Sequence, residues 1–426
     1  MGVGNRFARP QAGVNSASSP NSQPAAALDL SFVGASALDG RITFTRASTA
    51  TYFDKTGTMQ TAASGAPRFD YDPVALLGRG LLMEESRANV CAQSVPPTSW
   101  GLTGATLTSS LTAPDGTSNA RLLTEDTSTG NHQASPPNAM VTSTQYAISV
   151  FAKAGARRYL VATGLGLGGS GLTPAWDLIA GTDITTGSAG GFTHGIIPVG
   201  NGWFRCWFVF TITNAILSWV IANTAGLNIS YTGDGASGLW LWGTQCEAGA
   251  FVTSYISTGG STVTRAAEVA TMPTSGWYNA SAGTLQAEWQ VNQASVTGTQ
   301  EGIVRIDDTT DNNRVAMYVN VSGNIAGIGI SGGVSEFNNF LNTGGAALTF
   351  PAYGKSVITY GATWHSAYNG GLGQVGGGAL APGAPTRMLI GLDNVNGTAW
   401  QLDGWLRRIR YWNSILTDAQ LRQVTS

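Results

Sequence analysis

The chain has 426 residues, of which 57 are Gly, 42% are hydrophobic and 11% are charged. A formal net charge of −2 supplies no basic field for nucleic acid or for an anionic membrane. The apolar fraction is too high for a disordered chain, and no apolar run approaches the roughly 18 residues that a membrane helix needs.

The length predicts two or three domains. Abundant Gly, Thr, Ser and Trp with frequent turn signals predicts an all-β chain of packed sandwiches. Three cysteines, Cys91, Cys206 and Cys246, lie far apart. They read as free buried thiols, because a metal site wants paired short spacings.

Residues 1–27 are rich in Pro, Ser, Asn, Ala and Gln, and MGVGNRFARP lacks the apolar stretch of a signal peptide. This segment reads as an extended arm. Arg6 and Arg9 flank Phe7, a pattern that suits docking into a partner's groove.

Residues 28–90 form a small β cassette, with a turn at Asp54-Lys55-Thr56-Gly57. It is too short of large apolar residues for a core of its own. The expectation is that it lies across a neighbouring domain or a partner and serves docking or oligomerisation. Glu84, Glu85 and Arg87 read as surface charges at a strand end.

Residues 91–262 make the first full domain. Within YAISVFAK, Tyr146, Ile148 and Val150 share one face. In NGWFRCWFVFTIT, Phe204, Cys206, Phe208, Phe210 and Ile212 share the core face, and Trp203, Arg205 and Trp207 share the other. Strands separated by turns, with no helical period, predict a jelly roll. Trp203, Arg205 and Trp207, with Trp176 in a Gly-rich loop, are the candidate ligand-binding residues. Aromatic rings stack on sugar faces, and Arg donates forked hydrogen bonds to hydroxyls or acidic sugars. The competing reading is that this face packs against another element. In Leu239-Trp240-Leu241-Trp242 every side chain is apolar, as in a strand buried on both faces.

Residues 263–426 make the second full domain. GTLQAEWQV alternates, with Leu285, Ala287, Trp289 and Val291 inward. A run of hairpins follows, with turns at 307–313, 322–324 and 332–333. Slipped alternation between Leu406 and Ile409 predicts a bulge at Arg407-Arg408. Thr417 with Gln420 predicts a capping box and a short last helix with Leu421 packed down. Asp307, Asp308 and Asp311 are weak calcium candidates; a polar hairpin tip explains them as well. No E-x-D-x-E appears, Glu288 stands alone on its strand, and His132, His194 and His365 are scattered. No paired carboxylates for glycoside chemistry and no nucleophile elbow are visible. No catalytic residue and no cofactor are expected.

Three stretches carry a resemblance. FTRASTATYFD and LWGTQCEAGAFVTSYI with TVTRAAE resemble modules of bacteriophage virion appendage and decoration proteins: head fibres, spikes or tail-associated proteins, while the ending from Asp403-Gly404 to Leu416-Thr417-Asp418 is the most specific mark of a laminin-G-like sandwich. The first full domain resembles a carbohydrate-binding-module jelly roll. The second resembles a concanavalin A-like, laminin-G-like sandwich. The resemblance implies a non-enzymatic structural protein at the virion surface, made in the bacterial host cytoplasm. Its partners would be capsid or tail proteins through the arm, copies of itself in a homotrimer, and host-surface glycans, with no nucleic acid and no membrane. A decoration protein without a ligand and a glycan depolymerase are the rival readings.

Overall fold

The computed structural model describes residues 24–97, 100–292, 300–376, 382–394 and 400–426. It is all-β apart from one short helix and two single 3-10 turns among these residues, and it holds two sandwiches. No described helix is long and apolar enough to cross a membrane. Arg6, Phe7 and Arg9 lie outside the described residues.

The first sandwich faces two six-stranded sheets against each other. One runs Thr193–Pro198, Trp203–Thr211, Gln145–Ala154, Gly238–Ala248, Ala120–Glu125 and Ala105–Leu111. The other is centred on Tyr159–Gly164 and Leu217–Ala222. Ile148, Val150, Cys206, Phe208, Leu239 and Leu241 meet Trp176 and Trp219 between the sheets. Strand Gly238–Ala248 is buried on both faces. Leu239 and Leu241 enter this core, while Trp242 joins a second cluster on the outer side. At Gly243 the chain takes φ 62°, a conformation that glycine adopts without strain, and register against Gln145–Ala154 shifts there.

The second sandwich pairs an eight-stranded with a seven-stranded sheet. Its core holds Leu285, Ala287, Trp289 and Val291, as their alternation predicts, with Ile306, Met317 and Ile409. The register shift beside Glu288/Trp289 leaves Arg407 as the extra residue of a bulge. Helix Asp418–Thr425 begins with the full Thr417–Gln420 capping box and lays Leu421 and Val424 over Val357 and Trp412.

Residues 28–90 do not stand apart. Leu28–Ser31 and Gly78–Met83 lie end to end along one edge of Gly404–Trp412. They place Leu28, Leu30, Leu81 and Met83 in the core of the second sandwich. Thr43–Thr45 extends the opposite sheet at Val269–Pro273. The hairpin of Ala50–Phe53 and Met59–Ala62 turns the other way and packs Met59 and Phe53 on the outer face of the first sandwich. A segment too small to bury its own apolar residues buries them in both neighbours.

The seam between the sandwiches is ionic. Arg46, Arg68 and Arg265 are fully enclosed with Glu84 and Glu268. Burial opposes ionisation of Glu84, but Arg265 and Arg68 outweigh it and hold its carboxyl down at about 2. This corrects the reading of Glu84 and Arg87 as surface charges, since both are buried. Glu84 also accepts from Ser254 N and Oγ at 2.7 and 2.6 Å, partners about 170 residues away that no local pattern announces.

Candidate functional site

The open face of the seven-stranded sheet carries a hollow. Along Arg314–Val319, alternation sends Val315, Met317 and Val319 into the core and leaves Ala316 and Tyr318 on the other face. Register sets Tyr318 opposite Ala326, and Ile328 opposite Asn338 on the next strand. The hairpin between Arg314–Val319 and Ile325–Ser331 closes tightly. Asn320 Oδ1 accepts from Ser322 N at 2.9 Å and from Asn324 N at 3.0 Å, and Gly323 takes φ 75°. Gln300 arrives from the start of the neighbouring strand. Gln300, Tyr318, Asn320, Ala326 and Asn338, with Val321 and Asn339, line a hollow of about 300 Å³, the lower end of the range for small-molecule sites.

Buried Tyr318 and Ala326 lie within the hollow, and exposed Asn338, Asn339 and Val321 stand at its rim. The Tyr318 hydroxyl donates to Asn338 Oδ1 at 3.0 Å. Burial pushes this phenol up to about 12, with the Asp393 charge adding to the effect, so it stays protonated and neutral. Gln300 Nε2 donates to Asp393. Among the described residues no hydrogen bond takes up Asn338 Nδ2, Asn320 Nδ2, Gln300 Oε1 or either end of the Asn339 amide. The hollow therefore presents donors and acceptors together, beside a small apolar surface, and no charged side chain lines it.

The residues singled out from the sequence lie elsewhere. Trp176 is 0% exposed, with its ring centroid 6.3 Å from Phe208 and 6.4 Å from Trp219. Trp203 is 2% exposed, donates from Nε1 to Thr112 O at 3.1 Å, and packs with Met59 and Trp242. Arg205 is 8% exposed; it donates to Thr253 O at 2.6 Å and to Ser149 Oγ at 3.0 Å, and lies over the Phe151 ring. A ring with both faces covered has no face for a sugar, and this guanidinium is spent on its own chain. The reading of Trp176, Trp203 and Arg205 as ligand contacts is corrected to packing. Trp207 is half-buried and shielded along one side by Gly195, where an added Cβ would come within 2.8 Å of the indole.

The calcium candidates are also tied up. Asp307 accepts from Arg305 and Arg387, Asp311 from Arg305 and Arg314, and Asp308 holds Thr310 and Asn313. A cation would have to displace these guanidiniums. Among the described residues no group of three His, Cys, Asp or Glu side chains is arranged to hold a metal ion. His194 and His365, which show no partner in the sequence, meet Asp183 at 2.7 Å and Asp418 at 2.8 Å.

One group of carboxylates gathers where the second sandwich meets the seam. Asp403 Oδ1 accepts from Glu85 N at 2.9 Å. Burial, then the neighbouring acids, pushes Glu301 and Asp403 well up. Each is 4% exposed, which leaves no room for a glycosidic bond between them.

No protein-family model matches the chain, and no curated protein sequence matches it. Among solved structures it is similar over 34% of its length to the carbohydrate-binding CBM40 domain of a Ruminococcus gnavus IT-sialidase bound to α2,6-sialyllactose, at 13% identity and a TM-score of 0.30, covering 84% of that domain. It is similar over 34% to the NanB sialidase of Streptococcus pneumoniae, at 13% identity and 0.29. The chain spans only 24% of that sialidase. It is similar over 37% to the receptor-binding domain of botulinum neurotoxin C/D mosaic serotype, at 13% identity and 0.29, covering 40% of that chain. TM-scores this low fix neither topology nor ligand.

Proposed function

We propose that this chain is a bacteriophage virion protein whose lectin-like sandwiches contact host-surface glycans, and that it binds without cleaving. The observation that carries the glycan reading is the hollow of Gln300, Tyr318, Asn320, Asn338 and Asn339. Side-chain amides and a phenol are neutral groups that both donate and accept, which is what a polyhydroxylated ligand requires. Weak single sites of this size become useful when many copies are displayed together.

The virion reading is supported by the sequence resemblance. FTRASTATYFD and TVTRAAE meet in the seam, where Arg46 of the first and Glu268 of the second pair at 2.8 Å. Copies would assemble as a homotrimer on a particle, with the arm that holds Arg6, Phe7 and Arg9 engaging a capsid or tail protein. The purified protein should be retained on host cells, release no sugar from them, and sediment as a trimer at micromolar concentration. Retention with release of reducing ends would make it a depolymerase. Absence of retention on every host envelope tested would leave a decoration protein without a ligand.

A further inference from the structure

We infer that the hollow on the seven-stranded sheet selects uncharged sugars and turns away sialylated and uronic-acid glycans. This rests on the glycan reading above and narrows it to a ligand class.

The lining contains no Lys, Arg or His. A carboxylate entering it would leave water without gaining a counter-charge, which is costly in a partly enclosed site. Two guanidiniums on the strands beside the hollow, Arg305 and Arg314, are paired with carboxylates. Arg305 donates to Asp307, to Asp311 at 2.8 Å and to Thr310 O at 2.7 Å. Arg314 donates to Asp311. Gln300 is backed by Asp393, whose buried carboxyl is itself paired with Arg305, so that guanidinium is not spare for an anionic sugar.

The same lining suits hydroxyls and acetamido groups. Asn338 has its Oδ1 committed to Tyr318, which fixes its Nδ2 as the end offered to a ligand. Gln300 has its Nε2 committed to Asp393, which fixes its Oε1 as the acceptor. Neighbours therefore set the orientation of both amides before any ligand arrives. Asn339, exposed on the edge strand Val334–Phe340, can present either end. A sugar hydroxyl, which donates and accepts, satisfies such a set; a carboxylate, which only accepts, leaves the Gln300 oxygen without a partner.

The test uses the full chain on an array of neutral hexose and N-acetylhexosamine oligosaccharides beside their sialylated and uronic-acid counterparts, with calorimetry on the best neutral member. Signals should be confined to the neutral members. Asn338→Ala and Asn339→Ala should each weaken binding about five- to tenfold; Asn339→Ala should do so at an unchanged melting temperature, because the residue is exposed, whereas Asn338→Ala also removes the acceptor of the buried Tyr318 hydroxyl and should lower it. Asn339→Arg should bring sialylated members onto the array. Binding of anionic members by the natural protein at equal or greater strength would overturn the inference and leave glycan binding intact. Neutral binding that ignores both alanine substitutions would also overturn it, by placing the ligand elsewhere. Binding to no member of either class would overturn the glycan reading itself.

Discussion

Arg68 and Glu268 meet as a bidentate pair, Nε to Oε1 at 2.8 Å and Nη2 to Oε2 at 2.6 Å, across 200 residues of sequence. Both side chains are fully enclosed, and the same carboxylate also accepts from Arg46 at 2.8 Å. Removing one partner of a buried pair leaves an uncompensated charge. Glu268→Gln should therefore lower stability by about 3–5 kcal/mol in urea unfolding followed by tryptophan fluorescence. A loss below about 1 kcal/mol would show the pair to be worth no more than a surface bridge.

Trp203 should behave as a core residue. Trp203→Ala opens a cavity beneath the Met59 hairpin and should cost about 3–5 kcal/mol, while glycan binding by the folded fraction stays as it was. Trp207→Ala, at a half-buried ring, should cost less. Thermal melts and array binding on the same preparations check both. A stable Trp203→Ala protein that has lost glycan binding would return this face to the role expected from the sequence.

Asp70 gives a pH signature. Burial pushes its carboxyl up to about 6 from 3.8, against Arg79 and the hydrogen bonds from Phe53 N and Trp405 Nε1. The folded protein then holds a proton that the unfolded chain has lost, so this contribution is full below about pH 4 and fades as pH rises through about 6. Two pK units correspond to roughly 3 kcal/mol. Comparing Asp70→Asn with the natural protein in unfolding curves from pH 4 to 7 isolates it: the variant should gain relative to the natural protein as pH rises. A constant difference across that range would remove Asp70 from the pH dependence.

Gly80 and Gly34 make a matched pair. Both have positive φ, 119° and 71°. A Cβ on Gly80 would sit 2.1 Å from Leu406 O, whereas one on Gly34 meets nothing within 4 Å. Gly34→Ala should cost about 1 kcal/mol for its left-handed backbone. Gly80→Ala should cost distinctly more, because it forces Gly78–Met83 away from Gly404–Trp412. Equal melting temperatures for the two variants would contradict the close approach.

Local rules carried much of the fold. The alternation of Leu285, Ala287, Trp289 and Val291, the bulge at Arg407 and the Thr417–Gln420 box depend on neighbours within a few positions, and all are present. Alternation also placed Trp203 and Arg205 on the outer face of their strand. It could not say that a hairpin from residues 50–62 covers that face, because nothing near Trp203 encodes the partner. Arg46, Arg68 and Arg265 each look like solvent-exposed charges when read singly, and only the tertiary pairing with Glu84 and Glu268 makes them interior. The hollow was illegible for a related reason. Tyr318 and Asn338 come from two strands and Gln300 from the lead-in to a third, and single amides in turn-rich sequence have no diagnostic spacing.

The pairing of Leu28–Ser31 with Arg408–Tyr411 has a consequence on the ribosome. Asp29, on the strand Leu28–Ser31, is made 379 residues before Arg408 on the strand that completes it. The eight-stranded sheet cannot close before Gly404–Trp412 has been made, so Leu28, Leu30 and Phe32 stay without their native cover until then. Sandwich pairings of such long range also form slowly. The eight-stranded sheet of the second sandwich therefore closes only once Gly404–Trp412 has emerged.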